Sequence, residues 1–169
     1  MGISEFEVSY EDDEKRVRGA ILTQPVRGLD PHQPVCVQAN TTLREAVEAM
    51  NRVKAGCVLV VGSERLVGIL TERDILRHVV GKLGLEQPVS AVMTKNPETV
   101  GMDHGIAYAL HKMHVGGYRH VPIIDAGGRP VGIISVRDIV GFIVSLFPSA
   151  VLNVPPEPEL GIPRTPGGA

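Results

Sequence analysis

Gly68–Leu76 reads GILTERDIL, and Gly132–Val140 reads GIISVRDIV. Both open on glycine, run through apolar residues to a hydroxyl residue, and continue with Arg and Asp in the same order. A fixed pattern written twice in 169 residues marks an internal repeat, and a repeat decides the architecture before any single element does. Working outward, an offset of 63 places Leu43, Ala46, Val47 and Met50 on Ile106, Ala109, Leu110 and Met113, and the run VLVV at Val58 on VPII at Val121. The offset then becomes 64, so that Gly68, Arg73 and Asp74 fall on Gly132, Arg137 and Asp138. The extra residue falls in DAGGRP, where a turn tolerates an insertion.

Each copy reads as the same set of elements. In TTLREAVEAMNRV, Leu43, Ala46, Val47, Met50 and Val53 recur at helical spacing. Thr42 followed by Glu45 fits a capping box, which satisfies free N–H groups at a helix start. CVLVV and LVGIL are short apolar strands joined by the turn GSERL, a hairpin. TERDILRHVVGKL then predicts a helix with Ile75, Leu76, Val79, Val80 and Leu83 facing inward. The second copy repeats this with a helix near Gly105–Val115, the strand HVPII, the turn DAGGRP, the strand VGIIS and the helix VRDIVGFIVSLF. A short strand is expected before each first helix, at PVCV and ETV. The prediction is an α/β (α+β) fold of two β-α-β-β-α units, 31–85 and 86–148, packed sheet to sheet because a unit of this size is marginal alone. GLEQPVSAVMTKNPE joins the copies. Residues 1–30 are expected to be an N-terminal segment, helical near 16–24, and the proline-rich 149–169 an extended or disordered tail.

Composition excludes several classes. With 43% hydrophobic residues the chain can bury a core, and with 4% aromatics and no Trp that core must be aliphatic. A net charge of −2 without a basic stripe argues against a general nucleic-acid binder. Cys36 and Cys57 are too few for a disulfide framework and lack zinc spacing. The acidic, polar N-terminus does not read as a signal peptide, and IVGFIVSLF is too short to span a bilayer. These features predict a soluble cytoplasmic protein.

The chemistry sits at the repeated helix starts. Thr71 with Asp74, and Ser135 with Asp138, are a hydroxyl and a carboxylate three residues apart, on one helix face. Such a carboxylate can accept two hydrogen bonds from the cis-diol of a ribose, and the hydroxyl can cap the helix or donate to a phosphate. The same spacing is also an ordinary helix start, and local sequence leaves both readings open. Arg73 and Arg137 precede the aspartates and point either to a phosphate or to water. His104, His111 and His114 lie around one helix and offer a second class of function, transition-metal binding, although apart from Asp103 no Cys or acidic residue completes the set at tight spacing. No P-loop or nucleophile elbow is present, so catalysis is not expected.

The tandem Gly–apolar–apolar–apolar–(Ser/Thr)–x–x–Asp–apolar pattern, with RHVPIID before the second copy's turn and VMTKNPETV between copies, resembles a pair of CBS domains, named after cystathionine β-synthase, over roughly residues 31 to 147. The resemblance implies one disc-shaped module with pseudo-twofold symmetry. It implies clefts that bind AMP, ADP, ATP or S-adenosylmethionine as regulatory ligands, with no obligatory cofactor. The expected ligand-binding residues are Thr71, Asp74, Thr94, Thr99, Tyr118, Arg119, His120, Ser135, Arg137 and Asp138. Arg119 and His120 should face phosphates in the cleft of Ser135 and Asp138. The first copy has Gly56 and Cys57 in their place, so the Thr71–Asp74 cleft should suit phosphate less unless Lys95 reaches it. Thr94 and Thr99 should line that second cleft, and Tyr118 should start a strand whose backbone meets the adenine edge. The resemblance further implies a regulatory role acting on a separate, unknown effector. The apolar last helix, Ile139, Val140, Phe142, Ile143, Leu146 and Phe147, together with DILRHVVGKL, predicts a homodimer. The rival readings are a metal-responsive protein using the histidine face and a structural dimerisation module with empty clefts.

Overall fold

The structure, a computed structural model, describes residues 15–146. In chain order the elements are α1 (15–23), β1 (Cys36–Gln38), α2 (Leu43–Val53), β2 (Cys57–Gly62), β3 (Arg65–Thr71), α3 (Glu72–Asp74, wound on as a π-turn over Ile75–Val79), β4 (Thr94–Lys95), α4 (Ile106–Gly116), β5 (His120–Ile124), β6 (Pro130–Ser135) and α5 (Val136–Leu146). Short 3-10 turns at Val26–Leu29 and Val89–Ala91 precede the two halves. This is the mixed α and β architecture expected of the repeat. The capping box is formed as read: Thr42 accepts from the Glu45 amide and the Glu45 carboxylate accepts from the Thr42 amide at 2.9 Å. None of the described helices is long and apolar enough to cross a membrane.

One sheet runs β1-β2-β3-β4, with β1 parallel to β2 and the other pairs antiparallel. The second pairs β5 with β6, His120 opposite Ser135. Its outer strands have shrunk to single bridges, Val100 parallel to Ile123 and His32 antiparallel to Ile133. The strand expected at ETV is therefore one bridge, and β4, inside the segment read as a connector, is a strand the sequence did not announce. Two residues have no period to read.

The offset of 63 also relates Gln24-Pro25-Val26 to Gln87-Pro88-Val89, and here the halves exchange parts. Pro25 bridges Gly105 at the start of α4, and Pro88 bridges Thr42 at the start of α2. Val26 is fully buried among Ile106, Ala109, Val121, Ile123 and Ile134, while Val89 is fully buried among Leu43, Ala46, Val58, Val60 and Leu70. Each core is thus completed by the segment that precedes the other half. A third cluster, Cys57, Leu59 and Ile69 with Ile133 against it, packs sheet to sheet between them. The glycine opening each repeated phrase follows from this crossing. A Cβ on Gly68 would meet the Met93 sulfur at 2.4 Å and the Thr94 carbonyl oxygen at 3.1 Å, where β4 lies over β3. A Cβ on Gly132 would meet Pro31 at 3.3 Å, beside the His32 bridge.

The helix after β3 corrects the sequence reading. It ends at Val79, and of the five residues expected inside only Val79 is buried, with Ile75 packed partly against the core. Leu76, Val80 and Leu83 are 70%, 61% and 42% exposed. The cause is the π winding: the Val80 amide donates to the Ile75 carbonyl, which breaks the 3.6-residue period on which the inward face was drawn. In α5, Ile139 is buried, Phe142 and Ile143 pack against the core, and Val140 is exposed. The expectation for Phe147, and those for 1–14 and 149–169, lie outside the described residues.

Candidate nucleotide clefts

Each repeated phrase ends a strand and starts a helix, and each start is closed by its own aspartate. The Thr71 amide and hydroxyl donate to Asp74 Oδ2 at 2.9 and 2.7 Å, and the Asp74 amide donates back to Thr71 Oγ1. The Ser135 amide and hydroxyl donate to Asp138 Oδ2 at 2.6 and 2.8 Å, with the Asp138 amide returning to Ser135 Oγ. In both boxes a single carboxylate oxygen, Oδ2, takes the capping bonds. Oδ1 stays outside, and Asp138 Oδ1 lies 3.3 Å from His32 Nε2 at the rim. The two alternatives left open by local spacing are therefore compatible: the cap consumes one oxygen and leaves the other directed elsewhere.

Each aspartate also borders a cavity. Ser135, Arg137 and Asp138 line a cleft of about 870 Å³. Thr71, Arg73 and Asp74 line one of about 300 Å³, with Thr94 and Tyr118 on its walls. Gly56, Glu72, Arg119 and His120 line both, so these four form the partition between the clefts. Two backbone bonds hold it: the Glu72 amide donates to Gly56 O and the Val136 amide to Arg119 O. The partition is tightly fitted, since a Cβ on Gly56 would lie 3.3 and 3.4 Å from the His120 ring and 3.6 Å from a Glu72 carboxylate oxygen.

Of the ten residues read from the sequence, nine line one cleft or the other. Thr99 lines neither; it precedes the Val100 bridge to β5. Lys95 is opposite Gly68 in β4 and lines neither cleft. Arg119 and His120, read as belonging to the Ser135–Asp138 cleft, face both. Residues the sequence reading missed are His32, Lys54, Gly56, Glu72, Arg77 and Glu98. Gly56, Glu72, Arg77 and Glu98 lie beside read positions or inside read stretches without a residue pattern of their own, whereas His32 and Lys54 come from segments remote from the repeated phrases.

The clefts differ in charge. The larger presents Lys54, Arg119 and Arg137 against Glu72 and Asp138, three fixed cations to two carboxylates. The smaller presents Arg73, Arg77 and Arg119 against Glu72, Asp74 and Glu98, three to three, and Arg73 already donates to Gly117 O at 2.9 Å. Burial pushes the Cys57 thiol up to about 12, with Glu72 adding to the effect. A thiol so raised stays protonated near neutrality and is a poor nucleophile. Burial holds the His120 imidazole below its usual value; Arg119 and Arg137 act the same way, while Asp138 and Glu72 oppose them.

The histidines read as a metal candidate do not assemble. His104 Nδ1 accepts from the Gly101 amide at 2.9 Å and its ring meets Tyr108 edge-on, 5.0 Å between centroids. Among the described residues no three His, Cys, Asp or Glu side chains converge on a metal position.

Comparison with known proteins agrees with this architecture. An uncharacterized 17.7 kDa protein of Acidianus ambivalens is 38% identical over 104 residues, which cover 61% of this chain and 63% of that protein. The crystal structure of a CBS-domain containing protein from Agrobacterium tumefaciens superposes with a TM-score of 0.65 at 32% identity, covering 70% of this chain and 98% of that one. A CBS domain protein from Pyrobaculum aerophilum complexed with AMP superposes with a TM-score of 0.65 at 27% identity, covering 72% and 99%. The chain spans less than two thirds of the length of the curated relatives it matches. The CBS domain family model matches residues 26–81 and again 89–145. With both halves matched, and two sheets built on one repeated plan, the chain belongs to the CBS domain family and carries two such domains in tandem.

Proposed function

We propose that this CBS pair is a non-catalytic regulatory module that binds adenosine-containing ligands between its halves. The observation that carries this reading is the matched pair of helix starts, each spending one oxygen of its aspartate on the cap while the residue itself lines a cavity. A ribose diol suits such a residue, two donors to a carboxylate. The larger cleft has the volume and the surplus of fixed cations for a nucleotide with its phosphate. The smaller, charge-balanced and crossed by the Arg73–Gly117 bond, suits an adenosine compound without a long phosphate chain. AMP in the Pyrobaculum protein of the same fold supports the ligand class. S-adenosylmethionine, ADP and ATP belong to the same test.

Occupancy would bias the placement of the halves through unequal affinity for two arrangements, and so signal to a separate effector protein. We further infer a cytoplasmic homodimer in which the exposed Leu76, Val80 and Val140 meet a second copy, an apolar surface of the kind that marks an interface.

Thermal unfolding with AMP, ADP, ATP, S-adenosylmethionine and Zn²⁺ in parallel tests the reading. A ligand at a hundred times its dissociation constant adds about 2.7 kcal/mol. At about 2–4 °C per kcal/mol for a chain of this length, the melting temperature rises several degrees. A rise with an adenosine compound that Asp138→Ala removes is the expected result. Stabilisation by zinc alone would transfer the function to a metal, and silence throughout would leave a dimerisation module.

A further inference from the structure

His120 stands where no other titratable ring of the described chain does, in the partition between the clefts. It opens β5, opposite Ser135, which caps the helix bearing Asp138. Its neighbours on every side are defined. Gly56, carrying no side chain, leaves the room the ring occupies. Arg119 adjoins it in sequence, Arg137 and Asp138 face it from α5, and Glu72 faces it from α3. Burial opposes its protonation most, the two cations add to that, and the two carboxylates favour it.

An anionic group entering the larger cleft changes that balance. Arg119 and Arg137 line this cleft together with Lys54, and a phosphate bound against the two arginines neutralises the charges that add to burial in opposing protonation. It also adds negative charge of its own beside the ring. Both effects act in one direction, toward the imidazolium, and a shielded site strengthens them.

We propose that His120 takes up a proton from solvent when a phosphate-bearing ligand enters the larger cleft, which makes binding there pH-linked. This rests on the nucleotide reading above and adds its regulation. Affinity falls as pH rises from the ring's ligand-free value, which burial holds below its usual one, to its higher ligand-bound value, with a limit of about tenfold per pH unit for one proton. Because the same ring lines the smaller cleft, its charge is also presented to whatever binds there, and an anionic occupant on one side alters the electrostatics of the other.

The test is titration calorimetry of the full chain with AMP, ADP and ATP at pH 7 in two non-phosphate buffers of different ionisation enthalpy. The difference in heat gives the protons taken up. Wild type should take up a sizeable fraction of one proton more than His120→Gln; the nucleotide's own phosphate titration is common to both proteins and cancels. His120→Asn serves if His120→Gln fails to fold. Ring-proton NMR with and without nucleotide, the His120 signal assigned by its absence from the variant or by sequential assignment because His32 lines the same cleft, should show the His120 titration moving upward on binding. Nucleotide binding with equal proton uptake in wild type and variants, and the His120 titration unmoved, overturns the proton link and leaves the nucleotide reading standing. No binding of any of the three nucleotides to wild type overturns the proton link together with the nucleotide reading of the larger cleft.

Discussion

Asp74 and Asp138 each close a helix start and border a cleft, and substitutions should separate the cap from the proposed ligand contact. Loss of the cap costs about 1 kcal/mol at either position, so Asp74→Ala and Asp138→Ala should lower unfolding free energy by similar amounts in denaturant titration. Only Asp138→Ala should also remove the stabilisation given by a phosphate-bearing nucleotide. Equal stability loss with the nucleotide response intact would reduce Asp138 to a cap. His120 makes a separate prediction for the ligand-free protein. Its folded value lies below the unfolded one, so the unfolded chain binds the proton first as pH falls. The stability this contributes is fully present above about pH 6.5 and is lost as pH falls toward the folded value. A series of melting temperatures from pH 7.5 to 5.5 should decline, and His120→Gln should flatten part of that decline. An unchanged profile would show that burial of the ring costs nothing.

At the scale of elements, the crossing segments are the informative parts. Because β4 packs over Gly68, Gly68→Ala should cost about 1–3 kcal/mol by overpacking, since a backbone oxygen cannot swing aside. Gly132→Ala should cost less, since its nearest neighbours are side-chain carbons. Val89→Ala should cost about 1–3 kcal/mol despite its place between the copies, because Val89 fills the first core. A neutral Val89→Ala in denaturant titration would contradict the exchange of segments. Legibility in the sequence follows the same division. The α2 capping box, both hairpins and the Ser/Thr–Asp pairs were readable because each is fixed by residues a few positions apart. The exposed side of α3 was not, because its residue types are those of an ordinary amphipathic helix and the π winding changes which of them point inward. His32 and Lys54 were missed as cleft residues because only the fold brings them to Asp138; nothing adjacent in the chain signals it. Glu72 forms part of the wall between the clefts, which its place beside Arg73 in the chain does not announce.

As a whole molecule the protein is two half-modules locked by exchanged segments, with apolar residues left outside on α3 and α5. Leu76→Glu and Val80→Glu fall on exposed positions and should leave the fold intact while halving the mass seen by light scattering. Unchanged mass in both would place the dimer elsewhere or nowhere. The locked halves also mean that a ligand between them meets walls contributed by both copies, which is how one bound molecule can report on the arrangement of the whole. The direct test of that central claim is equilibrium binding of AMP with its stoichiometry. The account predicts saturable binding to wild type, with the site in the larger cleft lost in Asp138→Ala and kept in Asp74→Ala. Binding that survives both substitutions unchanged, or no binding of AMP or any other adenosine compound to the folded wild type, would contradict it.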